Sequence, residues 1–376
     1  MLGRFGQAEE IMIEFGVDAV QIVFNPEGGH LHDVVVRWNG REIRPTHRAP
    51  WIDSGEALPD DIPLGLRNLA GDFFCAPFAN SDLDGAPGHG WTGNGHWSLD
   101  GIDREVGGVT ARFTLQETVF GATVRKAVTL RDGQPIVYQR HVFEGGAGRL
   151  PMAHHAMIRA PGGAALSFSP KAFGITPPTP IEPDAARGRS LLAYPQRIAG
   201  LDAVRLADGR TIDASRYPFA ESHEDIVLLA EAPGSTLGWS AALAAREGFL
   251  FFGLKDPKSL PFTMLWMSNG GRDYPPFSSR HRHVLGIEEG CMYLHLGHRA
   301  SMEPNSLNAE GYPTTIALDP AGRVEIAYAF GAIPAEPGWD RVEAIGHGPA
   351  GLDLRIAGGP AVTLPFEAER IGLSGR

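Results

Sequence analysis

Hydrophobic and polar residues alternate along the first forty positions. Ile11, Ile13 and Phe15 form one run, Val20, Ile22 and Phe24 a second, and Val34, Val36 and Trp38 a third. A period of two sends successive side chains to opposite faces, the pattern of a half-buried strand. Asn39-Gly40 lies between VVVRW and REIRP and predicts a two-residue hairpin, since both residues tolerate positive φ. Val109, Ala111, Phe113 and Leu115 alternate again, and ATVRKAVTLRDGQPIVYQRHVFEG predicts two strands around Asp132-Gly133.

Residues 152–158 predict another strand, with the adjacent His154 and His155 on opposite faces. Residues 169–188 are dense in Pro and Gly and predict a loop or crossing connection. Residues 239–247 (WSAALAARE) have helical composition but run straight into GFLFFGL, so a strand, or one helical turn at most, is expected. FTMLWMSNGG, HVLGIEEG and CMYLHLGH predict further strands, and the remainder a β meander. Residues 64–99 hold many Gly, Asn and Asp among aromatics and predict a long structured loop with short strands. No heptad, repeat or composition break divides residues 1–376. The expectation is a single all-β domain, a large antiparallel sandwich with few or no helices.

Composition narrows the partners. A net charge of −11 and a pI near 5.7 argue against nucleic acid or an anionic membrane as the main partner. No apolar run has the length of a transmembrane helix, and MLGRFGQAEEIMIEFG lacks the layout of a signal peptide. Only Cys75 and Cys291 are present, both in apolar surroundings, so buried thiols and a cytoplasmic, reducing location are expected.

Histidine carries most of the candidate chemistry. His30 and His32, and again His281 and His283, are spaced to share a strand face. With Asp33, Glu288 and Glu289 nearby they could form a metal site, but nothing in the sequence makes the two pairs converge, and structural roles are expected for most of them. GAPGHGWTGNG does not join a strand to a helix, so no phosphate loop is read there, and no G-x-S-x-G elbow occurs. What remains is a His near mid-chain and a late carboxylate. His155 after RLPMAH and Glu288 in LGIEEG could stand on opposite sides of a sugar ring and do general acid–base work. The flat aromatics and polar groups of residues 64–99 also suit a sugar.

The order of these features resembles the galactose mutarotase-like superfamily, the aldose 1-epimerases and hexose-6-phosphate epimerase relatives. The motifs are GDFFCAPFANSD…GAPGHGWTGNGHWSL, the mid-chain AHHAM and the strand-ending LGIEEG, with LWMSNGG before it. The resemblance implies a β-supersandwich and an enzyme interconverting sugar anomers, with His155 as general acid and Glu288 as base. It implies substrate contacts from Arg67 and His89, stacking by Trp91 or Trp266, and His154 and Asn269 as neighbours in the site. It implies a small sugar as partner, a homodimer as one expected assembly, and no metal or organic cofactor. The chain departs from the relatives at Phe78 (their Gln), Gly93 (their Arg), Met157-Ile158 (their aromatic pair) and Glu289 (their Pro). Two other activities fit the same residues: a non-catalytic carbohydrate-binding protein on this scaffold, and a metal-dependent sugar isomerase or lyase using the H-x-H pairs.

Overall fold

A computed structural model describes residues 12–373. The expectations placed on Ile11 and on the N-terminal segment fall wholly or partly outside that span. Two large antiparallel sheets face each other. The eleven-stranded sheet runs, edge to edge, through Ile13–Gly16, Val20–Asn25, His30–Trp38, Asp72–Cys75, Met152–Arg159, Val284–Cys291, Phe262–Asn269, His223–Glu231, Lys171–Ile175 and Arg197–Ile198, with Arg41–Ile43 paired to His30–Trp38. The nine-stranded sheet runs from Arg216–Tyr217 through Ala164–Phe168, Gly238–Ala244, Phe249–Lys255, Arg323–Pro334, Ile136–Gly145, Ala122–Arg131 and Gly108–Leu115 to Trp97–Glu105.

The alternation read from the sequence becomes two cores on either face of the larger sheet. Phe74, Met152, Ala156, Leu285 and Ile287 point inward and meet Phe113, Phe143, Phe251 and Phe330 of the other sheet. Their neighbours Phe73, Ala153, Met157, Met264 and Trp266 point outward into a separate cluster. That outer face is roofed by connections that supply Trp51, Phe78, Phe277, Leu294 and Leu307. The central strands are therefore buried on both faces, which explains their nearly unbroken apolar runs. A smaller sheet, Arg341–Gly348, Gly351–Ala357 and Val362–Leu364, covers the outside of the nine-stranded sheet through Val342, Ile345 and Leu354.

Two turns show how local chemistry sets this topology. Asn39 and Gly40 take φ of 50° and 73°, the hairpin conformation expected between His30–Trp38 and Arg41–Ile43. Gly71 has φ +65°, and a Cβ there would stand 1.5 Å from the Leu31 carbonyl oxygen. Only glycine lets the chain enter Asp72–Cys75 so close to the His30 strand.

Residues 239–247 begin as strand, Gly238–Ala244, as the GFLFFGL continuation suggested. Three expectations are corrected. Residues 169–188 contain a strand, Lys171–Ile175, which pairs with His223–Glu231 through a bulge before Pro177 and Pro178 end it. CMYLHLGH does not form its own strand. Cys291 ends the preceding one, and Leu294 and Gly297 at positive φ turn the chain into the short helix His298–Met302. The stretch 64–99 opens with one helical turn, Leu64–Arg67, rather than loop. Among the described residues no helix is long and apolar enough to cross a membrane.

Candidate active site

His155 and Glu288 occupy facing positions in the register of two neighbouring central strands, Met152–Arg159 and Val284–Cys291. Both belong to the outward-pointing set, so the pleat sends both side chains to the same face. Nε2 of His155 lies 3.3 Å from Oε1 of Glu288, and both side chains are almost wholly buried. The expectation of a His and a Glu on opposite sides of a ring is thereby corrected: register makes them immediate neighbours.

They open onto a cavity of about 280 Å³. The row of cross-strand partners builds its floor: Phe73 stacks on His155 at 4.6 Å between ring centres, and Met264 stands opposite Glu288 on the far side. Trp266 is opposite Gly286, where a Cβ would come within 2.9 Å of the Trp266 Cβ and 3.2 Å of Glu288 Oε1. The missing side chain at Gly286 lets the indole and the carboxyl share one surface. The walls come from the roofing connections, with Leu66, Leu69, Phe78, His89, Arg272 and Phe277 among them. His89 stands edge-on to His155 at 5.6 Å, held at φ 69° with its backbone N–H donating to Ala79 O.

The electrostatics follow from this dry setting. Burial pushes the Glu288 carboxyl up to about 8, opposed by Arg272. Burial, then the neighbouring His89, pushes His155 well below the usual imidazole range. An ion costs several kcal/mol to desolvate, on the order of the attraction an ion pair returns, so both groups favour uncharged forms. His89 and His295, also on the cavity wall, are lowered to about 4 by burial and are neutral imidazoles. Several buried polar atoms have no protein partner: Glu288 Oε2, His155 Nδ1, His89 Nδ1, His295 Nδ1 and Arg272 Nε. Buried polar atoms usually find a partner, so these five leave the cavity with capacity for a polar ligand.

Of the residues singled out from sequence, His155, Glu288, His89 and Trp266 line this cavity. The other four lie elsewhere. Arg67 ends the helical turn and folds back, its Nε and Nη2 donating to the carbonyls of Ile62 and Pro59. Trp91 begins a 3-10 turn that directs its ring against the inter-sheet core. His154 has the opposite parity to His155 and points between the sheets, among Phe74, His141 and Tyr328. Asn269 is spent on backbone, donating to Ala220 O and accepting from His283 N–H.

Arg272, not Arg67, is the arginine on the cavity wall, and nothing around NGGRDY marks it in the sequence. Glu224, which holds Arg272, was missed for the same reason: HEDIVLLAE reads as an ordinary strand start. Phe78 and Gly93, the positions of departure from the relatives' pattern, both line the cavity. Of the other departures, Met157 packs in the outer cluster and Ile158 in the inter-sheet core, while Glu289 points into the sandwich and pairs with Lys255. Among the described residues, no three His, Cys, Asp or Glu are grouped to hold a metal ion. Of the H-x-H pairs, His30 stacks on Phe73 and His281 on Trp266.

No protein-family model and no curated protein sequence matches the chain. Solved structures do. A candidate aldose 1-epimerase from Escherichia coli K12 aligns with TM-score 0.57 at 13% identity, over 86% of this chain and 99% of its own. A second candidate aldose 1-epimerase, from Klebsiella pneumoniae, gives 0.56 at 14% identity over 85% and 78%. A TPR-domain containing protein from Parabacteroides distasonis gives 0.54 at 12% identity. It is matched over 86% of this chain, which spans about half of that protein's length, 48%. At these identities the likeness is one of fold: the antiparallel β-sandwich described above is the fold this chain shares with the two candidate aldose 1-epimerases.

Proposed function

We propose that the chain is an aldose 1-epimerase-type enzyme that interconverts the anomers of a sugar by opening and reclosing its ring. The observation that carries this reading is the 3.3 Å approach of His155 and Glu288 on the floor of the cavity. Ring opening moves two protons, one off the anomeric hydroxyl and one onto the ring oxygen. Both oxygens are bonded to the same carbon, so the two proton-transfer groups must be near neighbours.

In the free cavity burial keeps one transferable proton on Glu288 and leaves the His155 imidazole uncharged. His155 then accepts the anomeric hydroxyl proton as that oxygen forms the aldehyde. The bond from the anomeric carbon to the ring oxygen breaks, and Glu288 gives its proton to the departing oxygen. The aldehyde rotates, the hydroxyl adds to its other face, and both protons return. These roles are the reverse of those the resemblance implies, because a dry carboxyl beside a dry imidazole keeps its proton. No oxidation state changes, and the steps call on side chains alone.

The remaining lining suits a pyranose. His89, His295 and Arg272 have free hydrogen-bonding capacity for ring hydroxyls, and Trp266 and Phe277 offer flat faces for C–H stacking. The test is magnetisation exchange between α and β anomers in a panel of aldoses, with catalytic amounts of protein. Acceleration above the buffer rate for at least one aldose is expected. Binding without acceleration would favour a carbohydrate-binding protein instead.

A further inference from the structure

Two strands away from the reacting pair, a second buried carboxylate underlies the cavity. Glu224, on His223–Glu231, is 1% exposed. Its Oε1 accepts from Trp266 Nε1–H at 2.5 Å and forms an ion pair with Arg272 Nη2 at 2.9 Å, and its Oε2 accepts from the Ser268 hydroxyl at 2.9 Å. Ser268 Oγ in turn lies 2.7 Å from Nδ1 of His281, whose ring stacks on Trp266 at 5.2 Å and 16°. The Trp266 indole is thus pinned at its edge by Glu224 and along one face by His281.

The two hydrogen-bond donors and the adjoining guanidinium favour the carboxylate anion at Glu224, against the upward push of its burial. Among the described residues lining the cavity Arg272 is the only Lys or Arg, and its guanidinium lies 4.2 Å above the Phe277 ring with Nε unpartnered. Glu224 therefore offsets that positive charge. A phosphate or carboxylate on a bound sugar would meet a guanidinium already neutralised and would sit near a buried anion, whereas an uncharged hydroxyl can still accept from Arg272 Nε–H.

We infer that Glu224 is a positioning and specificity-determining residue. It fixes Trp266 and Arg272 as hydrogen-bonding and stacking surfaces while making the site select an uncharged aldose over its phosphorylated counterpart. This rests on the sugar-site reading above, but its test does not require turnover.

Equilibrium binding, followed by ligand-observed NMR, compares a neutral aldose, its 6-phosphate and inorganic phosphate on wild type, Glu224→Gln and Glu224→Asp. Wild type is expected to bind the neutral aldose at least tenfold more tightly than the phosphate ester. Glu224→Gln should reverse the balance, binding inorganic phosphate at least tenfold more tightly than wild type while losing affinity for the neutral sugar. Glu224→Asp, which keeps the charge, should keep the preference. A wild-type preference for the phosphate ester overturns the inference, as does a folded Glu224→Gln protein whose relative affinities are unchanged. Should Glu224→Gln fail to fold, the wild-type comparison decides alone. Absence of anomer exchange with every sugar, alongside this binding pattern, would defeat the epimerase reading and leave the role of Glu224 standing.

Discussion

Nε2 of His155 and Oε1 of Glu288 lie 3.3 Å apart because the two residues are register partners on adjacent antiparallel strands, buried beneath the same roof. Their closeness in an apolar setting makes them an uncharged pair. Glutamine at position 288 copies the shape and neutrality of a carboxylic acid. Glu288→Gln should therefore melt within about 1 kcal/mol of wild type. An ionised pair behaves otherwise: removing one charge strands its partner at a cost of roughly 3–5 kcal/mol. Denaturant unfolding of the two proteins decides between them.

The pH profile separates the two assignments of acid and base. With Glu288 raised to about 8 by burial and acting as the proton donor, kcat/KM for anomer exchange should hold below that value. Above it, kcat/KM should fall about tenfold per pH unit, since this parameter reports the free enzyme. A rate that rises through pH 8 would make Glu288 the base and return the roles to those the resemblance implies.

Acid should destabilise this protein early. His30 and His47 are lowered to about 3 and His89 and His295 to about 4, all chiefly by burial. His32 is lowered too, and His141, His154, His155 and His281 lie well below the usual range for the same reason. In the unfolded chain each titrates near 6.5, so below that pH the unfolded state binds more protons. Stability present above about 6.5 is then lost as pH falls, by up to about 1.4 kcal/mol per pH unit for each group. Asp72, Glu224 and Glu288 are raised in the fold and oppose this, gaining stability toward acid, but the nine histidines outnumber them. Calorimetry at pH 7.5, 6.5 and 5.5 should show Tm dropping with steepening slope. An unchanged Tm at 5.5 would mean that water reaches these rings.

Gly286 is the spacer between platform and acid. A methyl group there would stand 2.9 Å from Trp266 Cβ, 3.1 Å from its Cε3 and 3.2 Å from Glu288 Oε1. Gly286→Ala should cost about 1–3 kcal/mol in stability through overpacking. By tilting Glu288 away from the anomeric carbon it should also lower kcat by about tenfold or more. Loss of stability with kcat intact would show that the indole alone gives way.

Much of this architecture is legible in the chain because strand chemistry is local. The alternation in residues 20–38, the Asn39-Gly40 turn and the runs around Met152 and Val284 all lead to the observed strands. Parity alone puts His154 and His155 on opposite faces. Which face holds the cavity depends on what roofs the sheet, so His154 could not be set aside from sequence. Arg67 and Arg272 differ in the same way: one finds carbonyls to cap nearby, the other is carried over the cavity by the connection after Asn269. The Lys171–Ile175 strand is obscured by the prolines that follow it, and is held by its partner His223–Glu231 rather than by local pattern.

The claim that His155 and Glu288 form one acid–base couple is tested most directly by anomer exchange in an aldose the protein binds, measured for wild type, Glu288→Gln and His155→Asn. Wild type should accelerate exchange. Each variant should lose about 10²–10⁴-fold while still binding the sugar, and the double variant should lose little more than either, as expected of groups acting as a unit. Equal acceleration by wild type and Glu288→Gln would contradict the account.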